Sequence, residues 1–172
     1  VSEFDTLEEY KNDIRAHLEE QNKKRKERED ENKLIDKIVA NAEVDIPECM
    51  ITRQIDYMLR EMEYTLMYQG MRMEDYLRMI NKSVEDLRAE SREDAEKRVK
   101  TQLVMEAIRT TENIQAEEED IDAEIAKRAE TAKKSVEEYK ENMRDNEKAY
   151  ISDQIIVDKT MAFLKKNNTI TK

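Results

Sequence analysis

The sequence has very few of the residues that bend a chain. Among 172 residues there is one glycine, Gly70, and one proline, Pro47. β-Hairpins and sheet bends depend on glycine, Asn-Gly and proline turns, so this scarcity predicts an all-α protein. Glycine-rich phosphate-binding loops need several glycines within a few residues, which excludes the nucleotide-binding folds built around them.

Side chains that carry redox, metal or nucleophilic chemistry are also scarce. Cys49 is the single cysteine and His17 the single histidine, so no internal disulfide can form, as in proteins of a reducing compartment. We expect Cys49 to be a small buried hydrophobic residue and His17 to lie at the edge of an apolar stripe. The acidic run EEEDIDAE lacks the glycine of a calcium loop, and the carboxylates are too numerous for one acid–base pair to stand out. We therefore expect no metal, no cofactor and no catalytic residue.

The sequence also lacks signals for membranes and nucleic acids. No stretch approaches the roughly 20 apolar residues of a membrane helix, and the opening VSEFDTLEEY does not have the profile of a signal peptide. The net charge of −11 opposes nonspecific binding to nucleic acid or to an anionic membrane. The basic run Lys23 to Arg28 is followed at once by acidic residues, and we interpret it as a solvated helix face. We expect a soluble protein with no direct nucleic-acid partner.

Charge is abundant instead. Charged residues make up 42% of the chain and hydrophobic residues 38%, whereas an ordinary globular domain is about 25% charged. Such a chain has too little apolar material for one thick core. The composition favours an elongated assembly of long helices in thin layers.

Helical periodicity divides the chain into segments. Thr6 and Glu9 form a capping box that predicts one long helix over 6–41, anchored at both ends by apolar stripes and solvated in its charged middle. Pro47 predicts a second helix to about Gly70, and a short helix, EDYLRMI, follows. Later helices are predicted from Ser83 to about 111, from near Glu118, from Ser135, and from near Asn146 to about Lys166, before a frayed tail over 167–172. The predicted inward residues of these segments are Leu7, Tyr10, Ile14, Leu18, Leu34, Ile35, Ile38, Val39, Leu87, Ala95, Val99, Leu103, Ile108, Ile121, Ile125, Ala129, Ile151 and Ile155. The last helix should touch more than one neighbour, through Tyr150, Val157, Met161 and Leu164.

The segment MLREMEYTLMYQGMRM, residues 58–73, is rich in methionine. At 100° per residue the apolar residues of the second helix form two groups. Ile51, Ile55, Met58, Leu59, Met62 and Leu66 share one face, as core residues do. Tyr57, Tyr64, Met67, Tyr68 and Met71 point broadly the opposite way, interrupted by Arg53 and Arg60. This second face either packs against another part of the chain or forms a binding surface, since methionine adapts to partners of different shape.

Several segments, taken in order, resemble the C-terminal domain of trigger factor, the ribosome-associated bacterial chaperone. They are SEFDTLEEYKNDIR, EVDIPECMITRQIDYML, REDAEKRVKTQLVMEAIRTTENI, EEDIDAEIAKRA, SVEEYKEN and DQIIVDKTMAFL. The resemblance spans nearly the whole chain. The GFRxGK-type ribosome-docking loop of the family and its FKBP-like prolyl isomerase domain are missing from it.

The resemblance implies a bacterial cytoplasmic protein whose helical body carries two protruding arms that hold unfolded chains without ATP. Residues 6–41 would form the spine, 47–112 the first arm region, and 113–166 the second arm region with the closing helix. Ribosome docking and isomerase activity would belong to the parent protein and not to these residues.

The hypothesis that follows is a chaperone fragment, not an enzyme, that binds unfolded or nascent polypeptides. A charged frame keeps such a protein soluble, while dispersed apolar patches bind weakly and multivalently. A helical scaffold that only self-associates is the alternative, and homodimerisation through the apolar surfaces would also fit the chaperone. The predicted peptide-binding residues are Tyr57, Tyr64, Met67, Tyr68, Met71 and Met73, with Tyr76, Met79 and Met161 of the last helix as weaker candidates.

Overall fold

The protein is all-α in the residues that its structure, a computed structural model, describes: 6–144 and 146–168. Over these ranges there are helices and no strand, which confirms the predicted fold class. None of the helices in these ranges is long and apolar enough to cross a membrane. The helices are α1 (Leu7–Asn41), α2 (Glu48–Tyr68), α3 (Met73–Ile80), α4 (Val84–Thr111), α5 (Glu118–Thr131), α6 (Val136–Glu141) and α7 (Glu147–Asn167).

The predicted helix starts are confirmed by their caps. The Glu9 amide donates to Thr6 Oγ1 at 3.2 Å, and the Thr6 amide donates to the Glu9 carboxylate at 3.1 Å. Ser83 and Asp86 make the same reciprocal pair at the start of α4. These bonds satisfy backbone donors that have no partner within the helix. Pro47 lies one residue before the first turn of α2, as its N-cap, with φ −60° and ψ 137°.

Four helices end through a residue with a left-handed backbone. At the end of α2 this residue is Gly70, with φ 76°; its amide donates to the Met67 carbonyl, and the Met71 amide donates to the Leu66 carbonyl at 2.9 Å. This pair of bonds is a Schellman motif, which stops a helix and reverses the chain. The corresponding residues after α3, α4 and α5 are Asn81, Asn113 and Lys133.

The described residues of Val1–Ile38 and Gln115–Lys172 form one compact unit. In its core, Ile121, Ile125 and Ile151 pack together, with Tyr139, Met143 and Ile155 around them. Thr160 is buried and its hydroxyl donates to the Ile156 carbonyl. Lys165 of α7 bonds to Glu31 of α1 at 2.6 Å. The predicted inward residues of α5 are therefore confirmed.

Val39–Ile114 forms the second unit. Here α2 packs along α4, and α3 packs on α2. Ile51 and Ile55 of α2 are buried against Ala95 of α4, with Met58 and Leu59 packed at the margin. Leu87, Val99 and Val104 of α4 are buried too, whereas the predicted Leu103 and Ile108 are half-buried. α4 buries a broader face than the sequence predicts. In its last turns the buried residue is therefore Val104 and not the predicted Leu103.

The prediction that both ends of α1 are anchored is wrong for the first end. Leu34 and Val39 are buried, but the whole N-terminal stripe is exposed because no described element covers it. The basic run from Lys23 to Arg28 is exposed as predicted. A helical period shows that a face is apolar, and it does not show that a partner exists. The exposed stripe consists of Leu7, Tyr10, Ile14 and Leu18.

Four further predictions concern single residues or the tail. Cys49 is exposed and not buried, because it lies in the first turn of α2 on the side away from Ile51 and Ile55. Tyr150 and Val157 are exposed, so α7 buries fewer faces than predicted, although Leu164 is buried and Met161 half-buried. His17 lies on exposed helix surface, 3.6 Å from Asp13. In the predicted tail, Asn167 belongs to α7 and the side-chain amide of Asn168 donates to the Leu164 carbonyl, while residues 169–172 lie outside the described ranges.

Candidate peptide-binding surface

The two faces of α2 differ as the helical period predicts. The face with Ile51, Ile55 and Leu66 is buried, and its remaining members, Met58, Leu59 and Met62, are half-buried. These residues hold α2 on its neighbours in the second unit. On α2, only the opposite face is therefore available to bind a partner.

The opposite face of α2 carries large apolar side chains that the described residues leave more than half exposed. Tyr57 is 51% exposed, Tyr64 69%, Met67 64% and Tyr68 94%. We call these four residues the tyrosine face. From Tyr57 to Tyr68 the helix rises about 16 Å, which an extended peptide spans with about five residues. Tyrosine suits such a position because its ring is apolar while its hydroxyl tolerates water.

The remaining candidates of this unit lie beyond the end of α2. The Schellman motif at Gly70 takes Met71 out of the helix, so its direction cannot be extrapolated from the helical period, and its side chain is half-buried. Met73 and Tyr76 of α3 are half-buried as well, whereas Met79 is exposed. The turn thus separates the exposed tyrosine face on α2 from a second group in and before α3, in which Met79 is exposed and the other three residues are half-buried.

Two open grooves adjoin α2 in the second unit. The first, about 460 Å³, is lined by Leu59 and Arg60 of α2, Met73 of α3 and Leu87 of α4, among others. The second, about 510 Å³, is lined by Met50, Arg53, Tyr57 and Val99, among others. Arg60 and Asp56 line both grooves. Arg53 and Arg60, which interrupt the apolar face in the sequence, therefore line the grooves beside α2. The sequence pattern alone did not indicate this role.

Ion pairs fix α2 against α4 beside these grooves. Arg92 bonds to both oxygens of Glu48, Arg88 bonds to Asp56, and Arg98 lies 3.8 Å from Glu61. The hydrogen bonds from Arg92 hold the pKa of Glu48 below its ordinary value. Because these groups are exposed or half-buried, each pair contributes little energy, and the pairs link the side of α2 to α4.

Met161 belongs to α7 in the other unit, where it is half-buried. In this unit, the exposed apolar residues include several that the sequence predicts to be inward. The sequence does not indicate that the stripe on α1 is exposed, because its period is that of a core helix. The same reason explains the exposure of Tyr150 and Val157 that the sequence did not predict. The long charged stretch after Leu18 could have indicated that the α1 stripe is exposed. A helix with no apolar residue over several turns packs against no neighbour along that length.

Among the described residues, no group of three or more histidine, cysteine, aspartate or glutamate side chains is placed to hold a metal ion. The tyrosine face has the chemistry of a contact surface instead. Its exposed aromatic and thioether groups can bury apolar side chains of a partner, and the neighbouring guanidinium groups can donate hydrogen bonds.

Comparison with known proteins shows the family. Residues 6–166 match the family model described as bacterial trigger factor protein C-terminus. The trigger factor of Clostridioides difficile (strain 630) is 45% identical over 170 residues, which cover 99% of this chain and 40% of that protein. The trigger factor of Ruminiclostridium cellulolyticum (strain ATCC 35319) is 43% identical over 167 residues, covering 97% and 39%. No solved structure matches the chain.

The chain thus spans about 40% of the length of the curated relatives it matches. The match to the family's C-terminus confirms the predicted resemblance, and it confirms that these residues are not the prolyl isomerase domain of the parent protein. On this evidence the chain belongs to the trigger factor family and corresponds to its C-terminal region.

Proposed function

We propose that this chain binds exposed apolar segments of unfolded or nascent polypeptides and prevents their aggregation without ATP. The observation that carries the proposal is the tyrosine face, three tyrosines and a methionine left uncovered on a helix whose other side is buried. Uncovered apolar side chains that lie contiguously on a soluble protein mark an interaction surface. Membership of the trigger factor family supports a chaperone role for this surface.

The other predicted residues would extend the surface. Met73 lines the first groove and Tyr57 the second, so a client that follows α2 could place side chains in both. Met71, Tyr76 and Met79 would contact it near α3, and Met161, which belongs to the other unit, is proposed as a separate contact. Several weak contacts along one client raise the overall affinity while each contact dissociates quickly, which allows release without ATP.

The parent protein would add the remaining functions. We propose that it docks on the ribosome through its N-terminal domain, catalyses prolyl isomerisation in a separate domain, and assists folding and export in the bacterial cytoplasm. The two arms that the resemblance implies, 47–112 and 113–166, would present the client-binding residues.

The test is an aggregation assay with an unfolded client. Serine at Tyr64, Met67 and Tyr68 should reduce suppression of aggregation while the far-UV circular dichroism stays helical, because all three side chains are exposed. The control carries serine at Leu7, Tyr10 and Leu18, which also removes three exposed apolar side chains, from α1. An equal loss in both variants would show that the tyrosine face has no special role.

Self-association alone is the competing function. Sedimentation at several concentrations, with and without client, separates the two. A scaffold would form dimers through the tyrosine face and bind no client, whereas a chaperone would bind client whether or not it also dimerises.

A further inference from the structure

The second groove carries two arginines without an ion pair. Arg53 and Arg60 both line it, both are exposed, and neither bonds to a described residue. They differ in this from the other arginines of the second unit, each of which lies within 4 Å of a carboxylate oxygen. Those paired arginines are Arg72, Arg78, Arg88, Arg92, Arg98 and Arg109.

The acidic residue in the lining of this groove is already engaged. Asp56 also lines the groove, but it accepts a hydrogen bond from Arg88 of α4. The rest of the lining is apolar or neutral, with Met50, Tyr57 and Val99 among its residues. The groove is therefore locally positive and partly apolar within a chain of net charge −11.

Helical spacing places the two guanidinium groups on one side of α2. Arg53 and Arg60 are seven residues apart, so they differ by about 20° around the helix and about 10 Å along it. Tyr57 lies between them, four residues after the first and three before the second. An extended peptide of about three residues spans the same distance, so one carboxylate and one apolar side chain can meet an arginine and the tyrosine together.

We propose that this groove selects client segments in which an aspartate or glutamate adjoins an apolar residue. The carboxylate would accept hydrogen bonds from Arg53 or Arg60, and the apolar neighbour would pack on Tyr57 and Met50. Arginine suits this role because its planar fork of donors matches a carboxylate and remains charged at any physiological pH. The inference rests on the proposed function and names the client chemistry that one part of the site prefers.

The opposing effect is the net charge of the protein. A charge of −11 repels an acidic peptide at long range, but at physiological salt this field is screened beyond about 8 Å. Contacts inside the groove lie within that distance and keep most of their strength. Added salt therefore weakens binding by screening the local attraction and strengthens binding by screening the long-range repulsion. A salt titration distinguishes the two effects.

The test uses three peptides with the same apolar residues and either glutamate, glutamine or lysine at the polar positions. Their dissociation constants are measured with the unaltered chain, with Arg53→Gln/Arg60→Gln, and with the control Lys26→Gln/Arg28→Gln. The control removes the same two charges from exposed positions on α1 that bond to no described residue. Circular dichroism verifies that both variants are helical.

We expect the groove variant to weaken binding of the glutamate peptide about fivefold, as two exposed charge pairs of ordinary strength would. The glutamine peptide should change little, the lysine peptide should not weaken, and the control should bind all three as the unaltered chain does. Added salt should weaken binding of the glutamate peptide to the unaltered chain.

Other results would overturn the inference. An equal loss for all three peptides, an equal effect of the control, or the same salt dependence of the glutamate peptide with the unaltered chain and the groove variant would show that the arginines do not select carboxylates. Binding of every peptide with no effect of the groove variant would refute the selectivity and leave the proposed function standing. Binding of no peptide to the unaltered chain would refute both.

Discussion

Replacing Tyr68 with serine isolates the contribution of the most exposed large side chain of the tyrosine face. Tyr68 is 94% exposed, so nearly all of the roughly 150–250 Å² that an aromatic side chain can bury is available to a client. If a client covers half of it, the gain at about 25 cal/mol/Å² is about 2 to 3 kcal/mol. We use the lower figure, about 2 kcal/mol, because the conformational entropy that the client loses on binding opposes the interaction.

A loss of about 2 kcal/mol raises the dissociation constant of a client roughly 30-fold. The free energy of unfolding should change by less than about 0.5 kcal/mol, because an exposed side chain contributes little to stability. The assay is fluorescence anisotropy of a labelled unfolded client, with urea unfolding measured in parallel.

Two matched variants make this result specific. Tyr68→Phe keeps the ring and should bind within a factor of about two of the unaltered chain, because the apolar area is retained. Tyr150→Ser removes another exposed tyrosine, in the other unit, and should leave binding unchanged. A Tyr68→Ser chain that binds client as tightly as the unaltered chain would refute the argument that the tyrosine face is the contact.

Three further predictions concern stability. Ile125 is 2% exposed in the core of its unit, so Ile125→Ala should cost about 2 to 5 kcal/mol in urea unfolding, and a loss below about 1 kcal/mol would contradict this packing. Lys133 has φ 55°, a conformation that costs a side chain about 1 kcal/mol but not glycine, so Lys133→Gly should raise the melting temperature; a lower one would show that the turn is not strained. Hydrogen bonds from the Ser83 backbone and hydroxyl hold the pKa of Asp86 below its ordinary value, so its stabilising effect is present above that ordinary pKa and is lost as pH falls through the lowered one. Melting curves from pH 7 to pH 2 should therefore fall less steeply below pH 4 for Asp86→Asn than for the unaltered chain, and identical slopes would contradict the cap.

The helices were predictable because their boundaries are encoded locally. Thr6, Pro47, Ser83 and Gly70 act through the backbone of their own neighbours, so the starts of α1, α2 and α4 and the end of α2 follow from the sequence. The buried face of α2 was predictable for the same reason, since the period of a helix decides which side chains share a side.

Exposure was harder to predict, because it depends on partners distant in sequence. The stripe from Leu7 to Leu18 has the same period as the buried stripe of α2, yet no described element covers it. Cys49 was predicted to be buried from its residue type alone, and its position in the first turn of α2 leaves it exposed. Met71 was assigned to the second face by extending the helix beyond Gly70, where the chain turns away.

The role of Arg53 and Arg60 also depended on distant partners. In the sequence they interrupt an apolar face, and their charge is offset by many nearby acidic residues. Which arginines remain unpaired is decided by the packing of α2 on α4, where Arg88, Arg92 and Arg98 pair with the carboxylates of α2. The sequence pattern does not show which arginines pair with which carboxylates.

The most direct test of the central claim is an NMR titration of methionine methyl groups with an unfolded client. The ten methionines sample both faces of α2 and both units. Client binding at the tyrosine face should shift or broaden the Met67 and Met79 signals, which are exposed, and leave Met58 and Met143, which pack in the two cores, unchanged. Shifts at Met143 with none at Met67 would contradict the account.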